Sequence, residues 1–577
     1  MSVGELHKIF EKEEMMEEKT KKRPNVLLLL SDQQRYDTIA AAGFPHMHTP
    51  NLDRLAREGV LFEQCHSTNP VCMACRHDLI TGRPGRDHGY YTNLEEKPID
   101  KYATPTLPRI FSENGYRTAA VGKMHFFPAR EHHGFGEMYL MEELPKRRQD
   151  DQYLQYLKEK GLGEIQNPHG VRPLLYHVPQ NSVQKLADHG TMWVADRSIQ
   201  WLEENGEEPF FLMCGFIQPH PPWNIPKELD DMYRESAVPE PVPRSRMPMD
   251  GNEPNPWFGD WDSREEKEAV RKAYYTAVSM VDMAVGKILD ALQDKGLLDN
   301  TLIIFTSDHG EMLQDKGYYS KELPYEGAVR VPLLLRYPKR LEGGRKTGGF
   351  VDTFDLLPTC LDVCGLAYPA GELRGESLFR LAQKNDREFQ FSSSGLGYRR
   401  WVMCRNSRYK YVFHYNGGYE ELYDMQQDSG EERNLAGEKA ENIRETVSRL
   451  RGEALRYEQE CGPQDITRGG DFVPVPYKPY HGSIRGKFHF WANYQMQKFY
   501  EGERAGHLLQ ELLYASDNPE KSGAGRTVLF NAESWQRDFM TRFREYTGRE
   551  LTQAERELLF DKEAAQVPEK EADTYYW

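Results

Sequence analysis

The sequence predicts an α/β fold: a large, mainly parallel sheet sandwiched by helices, joined to a smaller C-terminal antiparallel sheet plus helix. Two patterns predict it. Short apolar runs that turn polar at their carboxyl ends alternate with longer helical stretches, and after about residue 385 the texture changes to short alternating segments followed by one more helix. Residues 26–31 are continuously apolar until the closing serine, as expected of a strand buried on both faces, and residues 302–307 repeat the pattern. Strands are also predicted over 118–122, 210–216 and 331–335, with helices over 106–114 and 269–292. Segments 400–404 and 409–413 predict the small antiparallel sheet, and residues 440–458 its helix. The expected divisions are a charged segment over 1–23, a main catalytic domain over 24–384, an α+β subdomain over 385–465 and an extension over 466–577. The aromatic stretch 488–494 predicts that the extension makes an oligomer contact or covers the active site.

A formal net charge of -16 over 577 residues argues against nucleic-acid or anionic-membrane partners, because both attract basic surfaces. Residues 1–23 mix Glu and Lys, and no apolar run approaches the roughly 20 residues of a membrane helix, so a cytoplasmic protein is expected. Eight cysteines in so long a chain fit a reducing compartment. The Cys72/Cys75 and Cys360/Cys364 spacings invite redox or zinc readings. The second pair falls in an amphipathic helical pattern over 356–364, and neither pair lies near a thioredoxin-like pattern, so both readings are disfavoured.

Parallel sheets place their chemistry at the carboxyl ends of the strands. There the sequence carries Asp32-Gln33, Lys123 with His125, His220, and Asp308-His309. One such group alone reads as a cap or turn residue. Together they suit an oxyanion ester: carboxylates from two strand ends can share a divalent cation, while lysines and histidines bind and protonate the ester. A further element is Cys72-x-Ala74-x-Arg76, running into Leu79-x-Thr81-Gly82-Arg83. Gly82 suits a helix C-cap, which puts Cys72 at a helix amino terminus where N–H groups stabilise an anion.

These residues resemble the sulfatase signature. The similarity extends in order through 115–125, 307–313, 321–332, 408–411 and 421–425, and it implies an alkaline-phosphatase-like fold. It implies that a maturase oxidises Cys72 to formylglycine, whose hydrated aldehyde attacks the ester. It also implies one divalent metal held by Asp32, Asp308, His309 and residue 72, with Gln33 as a further ligand. Calcium is the first expectation, and the imidazole leaves manganese or zinc open. A sulfate ester then requires Arg76 to orient the diol and Lys123 and Lys321 to neutralise the sulfuryl oxygens. His220 would protonate the leaving alkoxide, and His125 would take a proton from the second hydroxyl. Gln33 and His309 depart from the commoner Asp-Asp and Asp-Asn pairs and resemble the branch of choline sulfatases and phosphonate monoester hydrolases. The expected activity is hydrolysis of a small-molecule or oligosaccharide sulfate ester, with phosphonate monoester or phosphodiester hydrolysis as the alternative. A phosphomutase relative would present Ser or Thr in place of Cys72, and a non-catalytic scaffold would have lost some of these groups. Residues 126–252, with His132, His133, Arg147, Arg148 and His189, are expected to shape the pocket.

Overall fold

The structure is a computed structural model. It describes residues 23–478, except 94–103, 128, 144, 146–149, 164, 166–167, 171–176, 178, 244–263 and 372, together with Glu550. The expectations for residues 1–22, for Arg147 and Arg148 and for the aromatic stretch 488–494 lie outside the described residues.

In chain order the main domain contains β1 (Asn25–Asp32), α1 (Pro50–Glu58), β2 (Val60–His66), α2 (Cys72–Thr81), α3 (Leu107–Glu113), β3 (Arg117–Gly122), β4 (Glu137–Leu140), α4 (Gly190–Asn205), β5 (Phe210–Pro219), α5 (Arg264–Asp294), β6 (Thr301–Ser307), β7 (Leu333–Arg336), β8 (Arg345–Asp352) and α6 (Leu356–Cys364). The strands form one sheet in the order β8-β2-β7-β6-β1-β5-β3-β4. All neighbours run parallel except β7, which is antiparallel to both β2 and β6. The strand predicted over 331–335 is interrupted at Pro332, which lacks an N–H for the ladder. Arg330–Val331 pairs with β2 before the break, and β7 begins after it.

The alternation along β1 explains its wholly apolar sequence. Leu27 and Leu29 enter one buried cluster with Leu212, Tyr274 and Trp201, while Val26, Leu28 and Leu30 enter another with Phe211, Met213 and Leu302. With helices on both faces, both sets of side chains leave water.

The smaller sheet is antiparallel, in the order β9 (Gln390–Ser394), β10 (Trp401–Arg405), β11 (Tyr409–His414) and β12 (Tyr419–Asp424). It is covered by α7 (Glu441–Cys461), whose Tyr457 ring stacks on Phe391 with centroids 4.8 Å apart. No described helix is long and apolar enough to cross a membrane.

Candidate active site

Each polar strand end sits at the same edge of the main sheet because β1, β3, β5 and β6 are parallel neighbours. Two glycines let β3 and β5 approach closely. A Cβ on Gly122, whose φ is +94°, would meet the Gly215 carbonyl oxygen at 2.0 Å, and a Cβ on Gly215 would meet the Lys123 carbonyl oxygen at 2.0 Å. Only hydrogen fits there. Gln33 and His125, at the turns after β1 and β3, take left-handed backbone angles of φ 67° and 52°, a strained conformation for side-chain-bearing residues that clusters at functional sites. Tyr274 of α5 pins the first turn by donating to the Gln33 carbonyl at 2.7 Å and accepting from the Arg35 N–H at 2.9 Å.

Cys72 is the first residue of α2, and Gly82 closes that helix in the left-handed conformation, its N–H donating to the Asp78 carbonyl at 2.8 Å. The Cys72 thiol is fully buried. Its Sγ lies 2.8 Å from Lys321 Nζ, 3.1 Å from His309 Nε2 and 3.7 Å from Asp32 Oδ1. Burial pushes this thiol up, but Lys321, Lys123, His309 and a hydrogen bond from His125 together hold it well below the ordinary range. The residue therefore sits in an anion-stabilising environment.

Arg76, one turn further along α2, is wholly buried and bridges both carboxylates. Its Nε donates to Asp308 Oδ2 at 2.8 Å, its Nη2 to Asp32 Oδ2 at 3.1 Å and its Nη1 to the Lys123 carbonyl at 2.7 Å. Lys123 Nζ is 2.6 Å from Asp32 Oδ2. Burial and the Cys72 sulfur raise Asp32, yet Lys123, His220 and Arg76 hold it below the usual carboxylate range. Burial and the neighbouring Asp32 raise Asp308.

His309 Nδ1 donates to the Gly310 carbonyl at 2.9 Å, which turns Nε2 toward the site, 3.7 Å from Asp308 Oδ1 and 3.8 Å from Asp32 Oδ1. Ligand atoms of Asp32, Cys72, Asp308 and His309 all lie within 4.8 Å of one another and are buried. Two carboxylates and an imidazole converging out of water fit a divalent cation. Gln33 is brought to the same place: its Oε1 accepts from Lys321 Nζ at 2.8 Å, and its Nε2 donates to Glu311.

His220 follows β5, where the register against β1 shifts between Leu30 and Asp32. Its Nδ1 donates to the Pro221 carbonyl at 2.6 Å. Burial and the ammonium groups of Lys321 and Lys123 push this imidazole well below its usual value, against the pull of Asp32.

The structure thus gathers Asp32, Gln33, Cys72, Arg76, Lys123, His125, His220, Asp308, His309 and Lys321 around one centre. Three further carboxylates join them that sequence reasoning missed. Glu142 accepts from the N–H groups of Met124 and His125 at 3.0 and 2.9 Å, Glu143 contacts Lys123 and lies 3.4 Å from His220 Nε2, and Glu311 holds Gln33. Glu311 lies within the Asp308-His309-Gly310-Glu311 turn and was open to discovery there; Glu142 and Glu143 follow a short edge strand without any pattern. His189 has a structural task, its Nδ1 accepting from the Thr191 N–H at 3.2 Å to cap α4. His132 folds back on its own loop, its Nδ1 bonded to the Phe135 carbonyl at 2.9 Å.

Comparisons with known proteins match most of the chain. The family model described as Sulfatase matches residues 24–366, and that of N-sulphoglucosamine sulphohydrolase, C-terminal, matches residues 314–459. An arylsulfatase of Clostridium perfringens is 29% identical over 475 residues, covering 74% of this chain and 93% of the relative. A choline-sulfatase of Rhizobium meliloti is 28% identical over 450 residues, covering 72% and 82%. Among solved structures, a phosphonate monoester hydrolase of Agrobacterium radiobacter superposes with a TM-score of 0.66 at 26% identity, covering 79% of this chain and 100% of that one.

Proposed function

Because the chain belongs to the sulfatase family and is a sulfuric ester hydrolase by that membership, we propose that it hydrolyses sulfate monoesters of a small organic or carbohydrate substrate through a formylglycine made from Cys72. The observation that carries this reading is the seat of Cys72: first in its helix, buried, and ringed by Lys321, His309 and Asp32. A structural cysteine needs none of these partners. The Cys72 sulfur stands where the oxygens of the hydrated aldehyde would be.

Asp32, Asp308 and His309, with residue 72 and Gln33, would hold the divalent metal, calcium first with manganese or zinc open. Bound there, it would polarise the sulfuryl oxygens. One hydroxyl of the hydrated formylglycine gives its proton to water and attacks sulfur as the alkoxide that Lys321 and Lys123 stabilise, and the bond from sulfur to the alcohol oxygen breaks. His220 takes up a proton at Nε2 when the anionic ester lies beside it, and passes that proton to the departing alkoxide. Lys123 and Lys321 offset negative charge on the sulfuryl group. His125 then takes the proton of the second hydroxyl, the carbon–oxygen bond to sulfate breaks, and the aldehyde re-forms, to be hydrated again by water. Arg76 keeps both carboxylates aligned throughout.

A second reading, phosphonate monoester hydrolysis with the same residues, is favoured by one observation, the likeness to the Agrobacterium enzyme. The test of the shared nucleophile is peptide mass spectrometry after co-expression with a formylglycine-generating maturase. The peptide bearing Cys72 should lose its sulfur, and Cys72→Ala should reduce turnover to background. Wild-type turnover in Cys72→Ala would refute the mechanism.

A further inference from the structure

The main sheet and the small sheet meet around a cavity of about 470 Å³. Small-molecule sites are of this size and favour such junctions. Gln64 of β2 and Gly348 to Phe350 of β8 line it from the main sheet, and Arg405 of β10 and Arg449 of α7 line it from the small one. It lies at the β8-β2 end of the main sheet, whereas the catalytic residues follow β1, β3, β5 and β6. Gly348 and Gly349 fall where the register of β8 against β2 slips, between Thr347 and Phe350. Such a bulge takes residues out of the ladder and recurs beside functional sites.

Two polar atoms of this lining are buried and have no hydrogen-bond partner among the described residues: Nε of Arg405 and Oε1 of Gln64. Arg405 is only 5% exposed. Its Nη1 donates to Glu326 at 3.0 Å and its guanidinium lies 5.3 Å from the centroid of the Phe350 ring, which leaves the Nε edge for a further acceptor. The first atom only donates and the second only accepts. Buried polar groups left unpaired are unfavourable, so a ligand that offers an oxygen to Arg405 and a hydroxyl to Gln64 relieves both.

The charge of the lining sets the sign of that ligand. Arg387, Arg405 and Arg449 bring three guanidinium groups to it against one carboxylate, that of Glu388, which pairs with Arg449. The remaining partners of these cations, Asp352 and Asp355 for Arg387 and Glu326 for Arg405, lie outside the lining. A ligand in the cavity therefore meets cations first, and guanidinium groups favour carboxylate or sulfate oxygens. We propose that this cavity is a second binding site, for a sugar-sized anion that carries hydroxyl groups, such as a uronic acid. Its acid group faces Arg405 and Arg449, a hydroxyl donates to Gln64 Oε1, and the bound molecule bridges the two sheets.

D-glucuronate tests this apart from turnover, because it has no ester to cleave. Titration of the full chain, followed by ligand-observed NMR, should show saturable binding with a Kd of about 1 mM or below. D-glucose, which lacks the charge, and acetate, which lacks the hydroxyls, should bind at least about tenfold more weakly. Gln64→Met and Arg449→Ala should each weaken glucuronate binding by about threefold or more, while kcat/KM on the ester that the wild type turns over best stays within about twofold. Arg449 has a 56% exposed side chain, so its replacement leaves the core intact and carries the test alone if Gln64→Met fails to fold. No saturable binding up to about 10 mM would overturn the proposal. So would glucose or acetate binding as tightly as glucuronate, or unchanged glucuronate affinity in the folded variants. A loss of kcat/KM equal to the loss of binding would put glucuronate at the active site and overturn it as well.

Discussion

At the scale of single residues, Arg76 shows what the site demands electrostatically. Asp32 and Asp308 are buried side by side, and without compensation they could not both remain charged. Arg76 reaches both through Nε and Nη2 in one planar fork. Lysine has the charge but not the fork, so Arg76→Lys should lose one of these contacts and cost about 1–3 kcal/mol of unfolding free energy, the range for a buried hydrogen bond to a charged group left unmade. Urea unfolding checks this, and a change below about 0.5 kcal/mol, the level of an ordinary surface substitution, would contradict it. The residues that were legible in the sequence, Asp32, Lys123, His220 and Asp308 among them, each follow a strand whose apolar run marks its own end. Glu143 follows β4, a strand of Glu-Met-Tyr-Leu that stands at the sheet edge and carries no such mark.

At the scale of elements, the close approach of β3 and β5 depends on glycine more strictly than a turn does. Gly43 has φ 108° but nothing within 4 Å of its virtual Cβ, so replacing it with alanine meets only backbone strain, about 1–2 kcal/mol. Gly215→Ala would drive a methyl group into the Lys123 carbonyl at 2.0 Å. Backbone cannot rotate aside, and the strand must move, displacing Lys123 and His220 together. Gly215→Ala should therefore lower the melting temperature more than Gly43→Ala and also lose at least about tenfold in kcat/KM, since small misplacements of reacting groups cost that much or more. Retained activity in Gly215→Ala with only a lower melting temperature would contradict this account of the strand ends. The same scale shows why some strands escaped sequence reasoning. β2 begins Val-Leu-Phe, but exposed Glu63 and half-buried Gln64 break the run, and β8 opens Arg-Lys-Thr-Gly-Gly because it is the edge strand beyond β2. α6, α5 and the antiparallel sheet were legible because their apolar spacing is unbroken.

At the scale of the whole molecule, the two sheets are joined by buried charge. Glu326, beside the break before β7, accepts from Arg405 of β10 at 3.0 Å and Lys410 of β11 at 3.1 Å. Burial raises this carboxyl, but Arg405, Lys410 and His66 hold it well below the usual range. A carboxyl depressed in the folded state stabilises above its unfolded value, about 4.3, and that stabilisation is lost as pH falls toward the folded value. Glu326→Ala should thus cost about 3–5 kcal/mol near neutral pH. The gap to wild type should narrow on acidification below about pH 4. Denaturant titrations at both pH values check the sign, and a gap that widens in acid would contradict it.

The whole site turns on which ester it prefers. Sulfate monoesters, phosphonate monoesters and phosphodiesters all carry about one negative charge near neutral pH, so charge alone does not separate them. A sulfate monoester offers three unsubstituted oxygens to Lys123, Lys321 and the metal site, whereas a phosphonate replaces one with carbon and a phosphodiester replaces one with a second ester arm. A donor left unpaired costs on the order of 1–3 kcal/mol, or about ten- to a hundredfold in rate. The most direct measurement is kcat/KM on 4-nitrophenyl sulfate against 4-nitrophenyl phenylphosphonate, with formylglycine and metal occupancy verified. A higher value on the sulfate, by about ten- to a hundredfold, is the predicted result; a higher value on the phosphonate would contradict the sulfatase reading.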